Sequence, residues 1–115
     1  MSYDLRIAIK VEGCGKFVDI GEPEYANPTY NLGQMFRACT GWNYEQGKYY
    51  NCADVIENID RGISELRMWP SKYSRLEPSN GWGTLDGAVQ ALESLRACIY
   101  EKAEDIPIEC LWVAW

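Results

Sequence analysis

The sequence predicts an α+β domain in which a small, mostly antiparallel sheet, made of an N-terminal hairpin and a C-terminal strand, packs against two to three helices. Three observations carry this expectation. Residues 3–12 alternate apolar and polar side chains, residues 108–115 are rich in strand formers behind Pro107, and the chain between them repeats its apolar residues every three or four positions.

Within residues 3–12, Leu5, Ile7, Ile9 and Val11 fall on one side and Asp4, Arg6, Lys10 and Glu12 on the other, the signature of a strand with one wet face. Gly13-Cys14-Gly15-Lys16 supplies turn residues, and Phe17, Val18 and Ile20 resume an extended pattern, so the two segments form a hairpin. Pro23 and Pro28 interrupt regular structure. Thr29 or Asn31 then caps a helix carried by Leu32, Met35, Phe36 and Cys39 and ended by Gly41. Residues 42–50 follow neither period and read as an aromatic loop. A second helix spans 51–69, with Val55, Ile56, Ile59, Ile63 and Leu66 on one face and Pro70 as its stop. After a short turn through Tyr73 and Leu76, Thr84 caps a third helix whose buried stripe is Leu85, Ala88, Val89, Leu92, Leu95 and Ile99. The last strand is placed beside the first, with the helices on their shared apolar face.

A chain of 115 residues has room for one hydrophobic core, so residues 1–115 form a single domain. At 47% apolar and 24% charged, the composition is that of a globular protein rather than a disordered one. Seventeen acidic against eleven basic residues give a charge of −6, a field that repels nucleic-acid backbones and anionic membranes, so direct nucleic-acid binding is disfavoured. No apolar run reaches membrane-spanning length. Five cysteines, an odd number without a C-x-x-C pair or a signal peptide, point to reduced, mostly buried thiols in a cytoplasmic protein.

Chemistry finds little support. The chain has no histidine, which removes Ser-His and Cys-His nucleophiles. The carboxylates of the second helix, Asp54, Glu57, Asp60 and Glu65, and those near the end of the third, Glu101, Glu104 and Asp105, read as solvated faces. The cysteines lack zinc-site spacing, and neither G-x-x-x-x-G-K-[ST] nor G-x-G-x-x-G occurs. No cofactor or metal is expected, and the chain is read as a non-enzyme.

What remains is a set of aromatic, amide and basic residues in irregular segments: Tyr30 and Asn31; Arg37; Trp42, Tyr49 and Tyr50; Asn80 and Trp82. Loops concentrate binding residues, and the segment from Asn80 leads into a helix N-terminus, where free N–H groups and the dipole favour an anion. These eight residues are the candidate ligand contacts. Packing offers a competing account, in which Trp82 seals the core at the start of the helix, Tyr49 and Tyr50 point one in and one out, and Trp112 and Trp115 pack within the last strand.

Asn27-Pro28-Thr29-Tyr30-Asn31 with Met35 downstream, Gly62-Ile63 inside the second helix, and Asn80-Gly81-Trp82-Gly83 before the third give the chain a resemblance, over most of its length, to a group of small phage- and prophage-encoded proteins of no assigned activity. The resemblance transfers no catalytic residues. It implies a viral setting, where small acidic domains often act by binding, including as inhibitors of host defence.

The expectation is therefore a non-enzymatic binding module that captures a small anionic or nucleotide-like ligand between loop aromatics and a helix start. Two alternatives stand beside it. An acidic inhibitor would bind a host protein through aromatic anchors. A virion or assembly component would self-associate into homo-oligomers through exposed strand edges.

Overall fold

The computed structural model describes residues 2–115. Its four strands are β1 (Arg6–Lys10), β2 (Phe17–Gly21), β3 (Tyr49–Asn51) and β4 (Leu111–Ala114), all antiparallel in the order β2-β1-β4-β3. Four helices, α1 (Gly33–Thr40), α2 (Cys52–Met68), α3 (Pro70–Ser74) and α4 (Leu85–Ala103), complete the domain, which is α+β as expected.

The hairpin forms as the alternation predicts, with Ile9 opposite Val18, and β4 lies beside β1, with Ile7 opposite Val113. A bulge leaves Ile20 unpaired: Ile7 faces Gly21 while Ala8 faces Asp19. Leu5, Ile7, Leu111 and Val113 are fully buried against Val55, Ile59 and Leu66 of α2 and Leu92, Leu95 and Ile99 of α4. The stripe weakens toward the hairpin tip, where Val11 is exposed.

Three segments differ from the sequence expectation. Residues 42–50 are not all loop, because Tyr49–Asn51 pairs with β4, Tyr50 opposite Val113, and adds a fourth strand. Three residues are too few to show a period; the partner strand, not local propensity, makes them extended. The turn after α2 is the short helix α3, with Pro70 at its first position where a missing N–H is harmless. Before β4, residues Ile108–Cys110 close a 3₁₀ turn rather than extending the strand.

Caps fix the helix starts. Asn51 accepts from the Ala53 N–H at 3.0 Å and donates its own amide to the Glu109 carbonyl, tying the start of α2 to the approach of β4. Thr84 caps α4 through the Gly87 N–H at 3.0 Å. The face of the sheet away from the helices is also covered. Phe17 and Tyr49 stack at 4.0 Å, Trp112 meets Phe17 edge-on at 5.3 Å, and Ala8 is fully buried on that side.

Helices α1, α2 and α4 meet at Gly62, where an added Cβ would lie 2.8 Å from Thr40 Cγ2, 3.0 Å from Leu92 Cδ1 and 3.3 Å from Cys39 Sγ. All three neighbours are fully buried. Gly62→Ala should therefore lower stability although alanine is the better helix former: overpacking costs about 1–3 kcal/mol against roughly 1 kcal/mol of helix propensity. A urea midpoint equal to or above that of the parent chain would show the three-helix junction to be looser than this.

Candidate functional site

Two stretches far apart in sequence come together beside the start of α4. Backbone bonds from Tyr3 N–H to the Pro28 carbonyl and from Leu5 N–H to the Ala26 carbonyl, both 2.8 Å, strap residues 26–28 along the approach to β1. The Asn27 side chain donates to the Tyr3 carbonyl at 3.2 Å, and Tyr25 N–H reaches Ser94 Oγ on α4 at 3.4 Å. On the other side, the Pro78 carbonyl accepts from Gly81 N–H and Asn80 Oδ1 accepts from Trp82 N–H at 2.9 Å, so residues 78–82 form a tight turn.

Gly83 joins the two. Its φ of +136° suits only glycine, and a Cβ there would stand 3.0 Å from Leu32 Cδ2 and 3.2 Å from Thr29 Cγ2. The close approach leaves a cleft of about 420 Å³, between Glu24, Tyr25, Asn27 and Thr29 on one wall and Gly83, Thr84, Gly87, Gln90 and Ala91 on the other. Small residues on the α4 side keep it open. Trp82, beside Gly83, is 69% exposed and joins no ring–ring contact among the described residues. It does not seal the core; the glycine after it makes the inward contact, and the indole stays in solvent.

The other candidate residues lie elsewhere, and the eight do not share one recess. Tyr30, Arg37, Trp42 and Tyr50 gather at the end of the molecule around Trp115. Tyr30 meets Tyr3 edge-on at 4.8 Å, Tyr3 meets Trp115 at 5.9 Å, Trp115 stacks on Tyr44 at 4.2 Å, and Tyr44 contacts both Trp42 and Tyr50. A cavity of only about 10 Å³ remains there, lined by Arg37, Trp42 and Trp115 among others, so this end is filled by its own rings. Asn31 serves the local turn by donating to Thr29 Oγ1 at 3.1 Å. Tyr49 takes the opposite face of the sheet because adjacent strand residues alternate, and its hydroxyl donates to Asp19 at 3.3 Å. None of the eight lines the cleft; Asn80 fixes the turn before it, and Trp82 immediately precedes its Gly83. Sequence reasoning missed Glu24, Tyr25 and Gln90, which carry no periodic or turn signal; Thr29 and Gly83 belonged to recognised motifs whose meeting is tertiary.

The helix start that the sequence offers to an anion already holds a carboxylate of the chain itself, since Glu77 Oε1 accepts from Leu85 N–H at 3.0 Å. Shifted thiols lie in the core. Burial pushes Cys39 and Cys52 up to about 12, and the only exposed cysteines, among the described residues, are Cys14 and Cys110. No group of three His, Cys, Asp or Glu residues is placed to hold a metal among the described residues, and no helix there is long and apolar enough to cross a membrane. Comparison with family models, with curated proteins and with solved structures returned no match to this chain, so the cleft is interpreted from its own geometry.

Two measurements follow from these placements. Trp82→Ala should change stability by less than about 1 kcal/mol, as for an exposed side chain, whereas Trp115→Ala should cost about 3–5 kcal/mol; similar losses at both sites would contradict the exposure difference. The raised thiols make the fold weaken in alkali. Unfolded cysteines ionise near 9.0 while Cys39 and Cys52 stay protonated to about 12, so the stability they confer is full below pH 9 and disappears as pH climbs through 12. Urea titrations from pH 8 to 11 should show this fall, flattened in part by Cys39→Ala with Cys52→Ala.

Proposed function

We propose that the chain is a non-enzymatic binding module that holds a small planar, nucleotide-like ligand in the cleft between residues 24–32 and α4. The carrying observation is the seating of Gly83 against Thr29 and Leu32, which opens about 420 Å³ between two turn segments, a volume within the small-molecule range. Tyr25 lines the cleft at 47% exposure, so one ring is available to stack on a flat ligand, a contact worth about 1–3 kcal/mol. Asn27, Gln90 and Thr84 add polar edges. The histidine-free sequence and the burial of the shifted thiols support binding rather than catalysis. The phage resemblance suggests capture of a signalling molecule in an infected cell, in the service of counter-defence.

A second reading takes its support from exposed apolar side chains. Met68 and Trp69 stand 64% and 55% exposed at the corner between α2 and α3, and with Trp82 they are the kind of anchors a protein partner would bury. The chain would then inhibit a host protein.

Thermal unfolding across a panel of nucleobases, nucleosides and nucleotides decides between them. A ligand at a hundred times its Kd adds about 2.7 kcal/mol, and Tyr25→Ala or Gln90→Ala should abolish the shift without lowering the basal midpoint. If no compound moves the midpoint while Trp69→Ala or Trp82→Ala prevents capture of a host protein, the second reading replaces the first.

A further inference from the structure

We propose that the small cavity at the Trp115 end of the molecule binds one monatomic anion of chloride size, a site separate from the cleft and independent of it. The cavity measures about 10 Å³ and lies among Tyr3, Gly33, Arg37, Trp42, Tyr44 and Trp115. A space of that size admits a single water-sized particle. Its side chains set the preference. Arg37 and the indoles of Trp42 and Trp115 carry N–H donors and no acceptor, and the hydroxyls of Tyr3 and Tyr44 donate as well as accept. No Asp, Glu, Asn, Gln, Ser or Thr side chain is in the lining.

Two of these donors lack a partner within the chain. Trp115 is 2% exposed, and its Nε1–H is buried without a hydrogen-bond partner among the described residues, a desolvated donor that costs free energy until an acceptor reaches it. Arg37 takes part in no ion pair among the described residues, although the chain holds seventeen acidic residues. It runs back along α1 instead. A Cβ added to Gly33 would stand 3.2 Å from Arg37 Nη1 and 2.7 Å from the Tyr3 hydroxyl, so guanidinium and hydroxyl converge over the same glycine. Burial pushes the Tyr3 hydroxyl above its ordinary value and the Arg37 charge works against that shift, as a nearby cation does. A water here would bring two hydrogens to a wall whose only side-chain acceptors are two hydroxyls. A halide accepts from every donor, brings no hydrogen and compensates the Arg37 charge. Sulfate and phosphate exceed the space.

The Trp115 indole N–H reports on such an ion directly. In protein labelled for nitrogen NMR the five tryptophans give five indole signals, and Trp115→Phe, or the other four Trp→Phe variants by elimination, identifies the one from Trp115. Sodium chloride is exchanged stepwise for sodium gluconate, an organic anion too large for the cavity, at constant ionic strength so that screening stays the same. The Trp115 signal should move along a saturating curve with chloride and stay still in gluconate. Arg37→Gln, which alters an exposed side chain, should weaken chloride binding by about five- to tenfold, the scale of one charge-assisted hydrogen bond discounted for exposure. Arg37→Lys, which keeps the charge, should weaken it less. A Trp115 signal that ignores chloride, that moves equally in gluconate, or that titrates with unchanged affinity in Arg37→Gln would overturn the site. None of these outcomes touches the cleft, whose ligand panel is read separately.

Discussion

The structure depends on the pairing of β4 between β1 and β3. Leu111 and Val113 turn inward from this strand to meet the helices, Trp112 turns outward, and Trp115 follows as the ring around which Tyr3, Phe36 and Tyr44 collect. The strand therefore closes the core on one face and organises aromatic clusters on the other face and at one end. Without it β3 would have no partner, and α2, whose cap Asn51 is the last residue of β3, would lose the bond from Asn51 to the Glu109 carbonyl that fixes its start. A contact between the two ends of a chain has a high loop-closure cost, so this pairing raises the contact order of the fold.

A four-stranded sheet with helices on one side ordinarily leaves the other side wet. Here the outer side is closed by three long rings drawn from three strands. Phe17 on β2 and Tyr49 on β3 come from opposite edges and stack above β1 and β4, with Ala8 beneath them small enough to allow it. Lys10 lays its ammonium 5.8 Å from Phe17 and 5.7 Å from Trp112, and Tyr49 is held by Asp19. The arrangement buries apolar surface without a second helical layer, and its polar fringe keeps the face compatible with water. On this face Phe17, Tyr49 and Trp112 are each half-buried, and the Tyr49 hydroxyl reaches the wet fringe, the setting in which a ring with a polar edge is favoured.

The parts of this architecture legible in the sequence are those governed by a single local period. Leu5 and Ile7 alternate into the core, Val55, Ile59 and Leu66 mark the inner face of α2, and Thr84 stands at the start of α4 because its side chain offers what an unpaired helical N–H needs. The parts that were not legible arise between elements. The packing account of Tyr49 and Tyr50, one ring in and one out, holds, but the strand that enforces it is not legible, because three residues show no period and their pairing with β4 is tertiary. Glu77 is an ordinary loop carboxylate until the fold sets it on Leu85, eight residues later. The cleft was half legible: Thr29 and Gly83 each sat in a turn motif, yet nothing local states that one motif packs on the other.

That packing gives the cleft its mechanical character. One wall, residues 24–29, is held by main-chain bonds to the segment before β1; the other belongs to α4, seated in the core through Leu92, Leu95 and Ile99. Few direct links cross between them near the opening, chiefly Tyr25 to Ser94 and the contact at Gly83. A ligand that touches both walls would add to those links, so its binding energy would appear as resistance of the two walls to separation as well as in the global midpoint. The glycines matter for the same reason. A Cβ at Gly83 would press on Leu32 and Thr29, and one at Gly87 would stand 3.2 Å from the capping Thr84 Oγ1, so the two glycines permit the close seating of the walls.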